Sequence, residues 1–228
     1  MEKWVEEQLI PIRDRVFLYL KNAILEGEYK AGDRLVEREL AEKLNISRTP
    51  IREALLRLET LGFVNTIPRK GVVVAKISYE DIIDVFAILS SLEVLAVKMA
   101  VQKMDSKTEQ ELEQSIQAIN DVLEGKVEKD ISYFHIEFNE TLYKAAKSPK
   151  LYEMLMDLLD YIRAFANLGH TRPGRKMQSL QEHRDILIAV KNRELEMAEY
   201  LTRIHIENSK KAYIEMFESS KKAESKRR

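Results

Sequence analysis

Apolar residues recur with a helical period along most of this chain, and one short break in that rhythm marks a boundary. Over residues 9–26, Leu9, Ile12, Val16, Phe17, Leu20 and Ile24 fall three or four apart, and Gly27 ends the run. Residues 36–44 and 47–60 carry the period in two shorter runs, with Ala31-Gly32-Asp33 as a turn before them. Ser47 stands where an N-cap belongs, and Pro50 lies in the first turn, where a missing N–H does no harm. Gly62 closes this second run, and the helical rhythm stops. Phe63–Ile67 and Gly71–Ala75 are short β-rich runs, and Pro68-Arg69-Lys70-Gly71 between them reads as the basic turn of a hairpin.

From Ser78 onward there is no strand signal. Ser78-Tyr79-Glu80-Asp81 and Ser106-Lys107-Thr108-Glu109 look like capping boxes, opening helices over 78–103 and 106–124. Further helices are predicted over 128–147, 149–168, 175–191 and 194–217. The predicted fold is mainly α. A winged helix-turn-helix with a small β-hairpin wing occupies 1–76, an all-helical bundle 77–218, and a polar tail 219–228.

Composition narrows the function classes. The 228 residues carry a net charge of −1 with 33% charged side chains, so any surface for a polyanion must be local. The first 76 residues hold 14 basic and 12 acidic side chains, a net of +2, and the remainder is net −3. Arg34, Arg38, Arg48, Arg52, Arg57, Arg69 and Lys70 cluster in the helix-turn-helix and wing. With no cysteine there is neither a disulfide framework nor a cysteine zinc site. The first seven residues are acidic and lack the apolar run of a signal peptide, and no run approaches the ~18 apolar residues a membrane helix needs. A soluble, cytoplasmic protein is expected, with no membrane partner.

The segment Ser47-Arg48-Thr49-Pro50-Ile51-Arg52-Glu53-Ala54-Leu55 carries the clearest chemistry. Arg48 and Arg52 are four apart and share a helix face with Thr49, while Ile51, Leu55 and Leu58 fall on the other. Such a face suits the edge of a DNA major groove, where arginine reads guanine.

Together with Gly32–Ala41 and Leu61-Gly62-Phe63-Val64, this segment resembles the winged-helix domain of GntR-family bacterial transcription regulators over residues 9–76. The resemblance implies that Arg38, Arg48, Thr49 and Arg52 contact an operator, Arg48 and Arg52 as base readers and Arg38 and Thr49 on phosphate. It also implies that the wing tip at Lys70 and Gly71 enters the minor groove, and that a homodimer binds palindromic double-stranded DNA.

Three of the four histidines, His135, His183 and His205, lie on predicted helices, and His170 lies in the Gly169–Gly174 loop. His183 and His205 flank the break at Asn192, about 14 and 20 Å from it at ~1.5 Å per residue, so antiparallel helices bring them to similar heights. His135 and Asn139 are four apart on a third helix and face the same way.

Residues 78–217 are similar to the all-helical effector (FCD) domain of the FadR-type branch of that family. The cues, in order, are Phe138–Leu142, Ser148-Pro149-Lys150-Leu151, Glu182–Val190 and His205-Ile206. Many members bind a divalent metal through an Asp-x-x-x-His pair and two later histidines. In this chain His135 takes the place of the aspartate and Asn139 that of the first histidine. The resemblance therefore implies a site of His135, Asn139, His183 and His205 that favours zinc or nickel over harder ions. An arginine four residues before the first bundle helix's glutamate holds carboxylate ligands in the family. Here that glutamate is Glu93, and Leu89 stands in the arginine's place. Arg163 is the candidate substitute.

The expected function is a ligand-responsive, DNA-binding transcription regulator and not an enzyme. Its effector would be a small molecule, a carboxylate bound partly through the metal. The alternative is a metal-dependent hydrolase built on the three histidines.

Overall fold

The computed structural model describes residues 10–76, 78–127, 131–166 and 174–225, with the side chains of 131–136, 164–166 and 220–225 outside the description. Two compact units result: Met1–Ile77 with Leu159–Asn167, and Ser78–Leu158 with Leu168–Arg228.

The first unit contains helices α1 (Ile12–Leu25), α2 (Glu37–Leu44) and α3 (Arg48–Thr60), and strands β1 (Arg34–Leu35), β2 (Val64–Ile67) and β3 (Gly71–Val74). The strands form an antiparallel sheet in the order β1-β3-β2, with Val64 opposite Val74 and Ile67 opposite Gly71. β1 was not expected. At two residues it is too short to show a period, yet Arg34 and Leu35 pair with Val73 and Val72. Asn45 adopts a left-handed conformation with φ 52° between α2 and α3, which makes the tight turn of the helix-turn-helix. Ser47 is at the N-cap of α3, although its side chain makes no capping bond.

The core of this unit is apolar and continuous. Phe17 and Leu20 of α1, Ile51 and Leu58 of α3, and Phe63 and Val64 leading into the wing are all at most 3% exposed. Tyr161 packs against this cluster, and its ring meets Phe63 edge-on at 6.1 Å between centroids. Gly62, with φ +79°, leaves room for it, since a Cβ there would lie 2.9 Å from the Tyr161 ring. Lys21 pairs with Asp160 at 2.6 Å, both largely buried. These contacts bring 159–167 into the first unit, where the sequence predicted a clean division at residue 76.

The second unit comprises α4 (Tyr79–Gln102), α5 (Ser106–Leu123), α6 (Ile131–Ala145), the first part of α7 (Pro149–Ala166), α8 (Arg175–Lys191) and α9 (Leu195–Ser225). On α4, Ile82, Phe86, Leu89, Glu93, Ala96, Val97 and Ala100 are buried at the three- and four-residue spacing that marks one helix face. α9 packs on α4 and α8, α5 on α8, and α6 on α4, α5 and α8. The Ser78 capping box forms, with Asp81 N–H donating to Ser78 Oγ and Ser78 N–H to Asp81 Oδ2. The second capping box shifts by one residue. Asp105, not Ser106, is the N-cap of α5 and accepts from Thr108 N–H at 2.9 Å. The Asp105 carboxyl is held well below its usual range, first by the Lys147 ammonium. Lys147 also donates to the Lys103 carbonyl, and Lys103 returns bonds to the carbonyls of Ala146 and Lys147. The polar tail predicted from residue 219 is helical to Ser225, because its lysines and glutamates are good helix formers that extend α9.

Candidate functional site

The first candidate surface lies on α2, α3 and the wing. Pro50, Ile51, Ala54, Leu55 and Leu58 are buried and anchor α3. Arg48, Thr49 and Arg52 are exposed on its outer face, and Arg38 is exposed on α2 in a loose pair with Glu42 at 3.8 Å. Lys70 is exposed at the hairpin tip, where Lys70 N–H donates to the Ile67 carbonyl at 3.0 Å. Arg69 and Gly71 both take positive φ, 67° and 82°, to make that turn. The exposed Arg34 guanidinium lies beside Gly71, 3.6 Å from where a Cβ would stand. Arg57 departs from the basic cluster. Its guanidinium lies 3.9 Å over the Phe17 ring and pairs with Asp14 at 3.1 Å, so it ties α3 to α1.

Arg52 holds an ion pair that the sequence did not suggest. Its Nε and Nη2 donate to the two carboxylate oxygens of Glu37 at 3.1 and 2.8 Å. That guanidinium holds the Glu37 carboxyl below its usual range, and Arg48 adds to the pull. Fifteen residues separate the pair, so no helical spacing could announce it.

The second candidate surface is a histidine centre in the helical unit. His183 on α8 and His205 on α9 are 1% and 5% exposed, and their Nε2 atoms are 3.1 Å apart. The Phe138 ring of α6 stacks on His183 at 3.7 Å with an interplanar angle of 4°. Asn139, the next residue on α6, is half-buried. The side chain of His135 and the whole of His170 lie outside the described residues. Among the described residues, no group of three or more His, Cys, Asp or Glu side chains could hold a metal ion.

Glu182 orients this centre. Its Oε2 accepts from His205 Nδ1 at 2.8 Å and from Arg175 Nη1 at 2.9 Å, and its Oε1 accepts from Asn208 Nδ2 at 2.8 Å and from Gln178 Nε2 at 3.0 Å. Burial raises the Glu182 carboxyl, but the bonds from His205, Asn208 and Arg175 outweigh it, so the group ionises below its usual range. A carboxylate there accepts from His205 Nδ1–H and leaves Nε2 facing His183. The sequence held a signal for this, since Glu182 adjoins His183 and Asn208 follows His205 by three. Arg163, the candidate effector contact, is half-exposed, pairs with Asp160 at 3.5 Å and falls in the first unit.

The model of the FCD domain matches residues 84–208, and that of the bacterial regulatory proteins of the gntR family matches residues 12–74. The chain belongs to the GntR family, with an FCD domain. This GntR-family chain is 30% identical over 190 residues to YdhC of Bacillus subtilis strain 168, an uncharacterized HTH-type transcriptional regulator, covering 82% of this chain and 84% of that one. It is 29% identical over 165 residues to the HTH-type transcriptional regulator McbR of Escherichia coli K12, covering 72% and 73%. The solved structure of E. coli McbR/YncC shares the fold, with a TM-score of 0.73 at 22% identity over 92% of this chain and all of that one. The GntR-family chain is therefore a transcription regulator with an FCD domain, and its relatives are regulators, not enzymes. The hydrolase alternative falls with that finding. Among the described residues no helix is long and apolar enough to cross a membrane.

Proposed function

We propose that this regulator is cytoplasmic, binds a palindromic operator as a homodimer, and answers to a small organic acid through a metal in the FCD domain. Arg48 and Arg52 read bases, Arg38 and Thr49 hold phosphates, and Lys70 and Gly71 enter the minor groove. The exposure of the three α3 residues above a buried Ile51–Leu58 face supports this use.

The observation that carries the metal assignment is the 3.1 Å separation of His183 Nε2 and His205 Nε2. Metal–imidazole bonds of about 2.0–2.1 Å put neighbouring ligand nitrogens roughly 2.9–3.4 Å apart. The donor set therefore fits a divalent ion, with His135 and Asn139 as the further ligands and zinc or nickel as the preferred metals. The ion would supply a Lewis-acid anchor for a carboxylate oxygen of the effector. The protein's own part is to keep both Nε2 lone pairs available. Glu182 does this for His205, and the Phe138 ring holds the imidazole plane of His183. Effector binding then shifts the balance between two dimer geometries of unequal operator affinity.

Native mass spectrometry of the protein purified without chelator tests these points together. A dimer carrying one metal per chain and a small acid is expected. A chain that neither holds metal nor takes up zinc or nickel on titration overturns the metal site, and a monomer at micromolar concentration overturns the dimer.

A further inference from the structure

Glu37 opens α2 and takes Arg52 of α3 side-on, with Oε1 accepting from Nε at 3.1 Å and Oε2 from Nη2 at 2.8 Å. A guanidinium has five N–H donors in one planar fork. The side-on pair uses Nε–H and one hydrogen of Nη2. The end-on edge, made by Nη1 and the other Nη2 hydrogen, is engaged by no contact among the described residues. With the Nε side taken, that end-on edge is the one left to bond O6 and N7 of guanine together. The depths also suit the arrangement, since the Glu37 side chain is 33% exposed and that of Arg52 70%. The carboxylate is set in the surface, and the guanidinium stands out from it.

We propose that Glu37 is a positioning residue that fixes the orientation of Arg52 and so sets the base selectivity of α3. The proposal rests on the reading of Arg52 as a base contact. An exposed arginine without a buttress spreads over many rotamers, and in most of them it can still bind a phosphate of any sequence. Held by its Nε side, Arg52 presents one edge in one plane. The same carboxylate is repelled by the DNA backbone at every sequence, which lowers the background grip and leaves the guanine contact as a larger share of the binding.

The test uses the full chain and a reference duplex selected with it from a random library. Affinities are then measured for that duplex, for each single base-pair change and for an unrelated duplex, at several salt concentrations. Glu37→Ala is expected to lower discrimination at one G·C pair about tenfold, while affinity for the unrelated duplex holds or rises. Arg52→Ala should erase discrimination at that same pair, and the double variant should lose nothing more. Glu37→Gln keeps the side-chain shape and carries the test if Glu37→Ala unfolds. Uniform change of affinity for every duplex in Glu37→Ala, with discrimination intact, overturns the proposal and leaves the reading of Arg52 standing. Unchanged selectivity in Arg52→Ala overturns that reading and the proposal with it, as does a chain that selects no sequence.

Discussion

The phenol of Tyr143 on α6 donates to Oε1 of Glu93 on α4 across 2.5 Å, and neither residue is more than 2% exposed. Burial raises the Glu93 carboxyl, against the opposing influences of His205 and the Tyr143 bond. Burial, then the neighbouring carboxylate, pushes the Tyr143 phenol well above its usual range. Leu89, one turn earlier on α4, is apolar and 3% exposed, so Glu93 takes its partner from α6 instead.

This pair makes stability depend on pH in a defined direction. The folded Glu93 carboxyl keeps its proton to a higher pH than it does in the unfolded chain. Its contribution is complete below the ordinary glutamate range and is lost as pH rises through the folded value. Glu93→Gln should flatten that part of the profile. Tyr143→Phe should cost about 1–3 kcal/mol by leaving a buried acceptor without its donor. Chemical and thermal unfolding across pH measures both, and a slope that survives Glu93→Gln would assign it to another group.

Metal binding should follow the histidines and their carboxylate. His183→Ala and His205→Ala are expected to lose the bound ion. Glu182→Gln, which keeps both imidazoles, should weaken it by about 10–100-fold. Titration with zinc, followed by metal content after dialysis, reads these differences. Equal affinity in Glu182→Gln would remove the carboxylate from any orienting role.

Two arginines should behave differently on DNA. Arg52→Ala is expected to cost about 1–3 kcal/mol and to relax one base preference. Arg38→Ala should lower affinity evenly over sequences and reduce the salt slope by about one. Binding isotherms at several salt concentrations separate the two. A sequence-dependent loss in Arg38→Ala would make it a base reader.

The two faces of α3 can be told apart by stability alone. Leu58 is 0% exposed, and Leu58→Ala should cost about 2–5 kcal/mol. Leu56 is 63% exposed, and Leu56→Ala should stay within about 0.5 kcal/mol. Urea unfolding of the two variants gives the comparison.

Helix positions were readable because each helix repeats its apolar spacing over several turns, as Ile82, Phe86, Leu89 and Ala96 do on α4. β1 was not, since two residues hold no repeat and Arg34-Leu35 is defined by its pairing with β3. The cap of α5 was displaced by one because Asp105 and Ser106 are both good caps, and only the Thr108 bond decides between them. In the histidine centre, His183 and His205 could be paired by counting from Asn192. The Phe138 stack and the Arg175 contact to Glu182 depend on packing between helices, which spacing does not encode. The Glu37–Arg52 pair was hidden for the same reason. The part played by 159–167 follows from where Tyr161 and Asp160 find partners, and the periodicity of α7 is silent on that.

The acidic group at Glu37 bears on time as well as on affinity. A chain must sample a vast excess of sequences before it meets its own, and each stop on a wrong one delays it. If Glu37 serves Arg52 as proposed, its negative charge shortens every such stop by the same electrostatic means that lysines and arginines use to lengthen it. The regulator then gives up raw grip for a faster search, and its occupancy of a target answers quickly when conditions change.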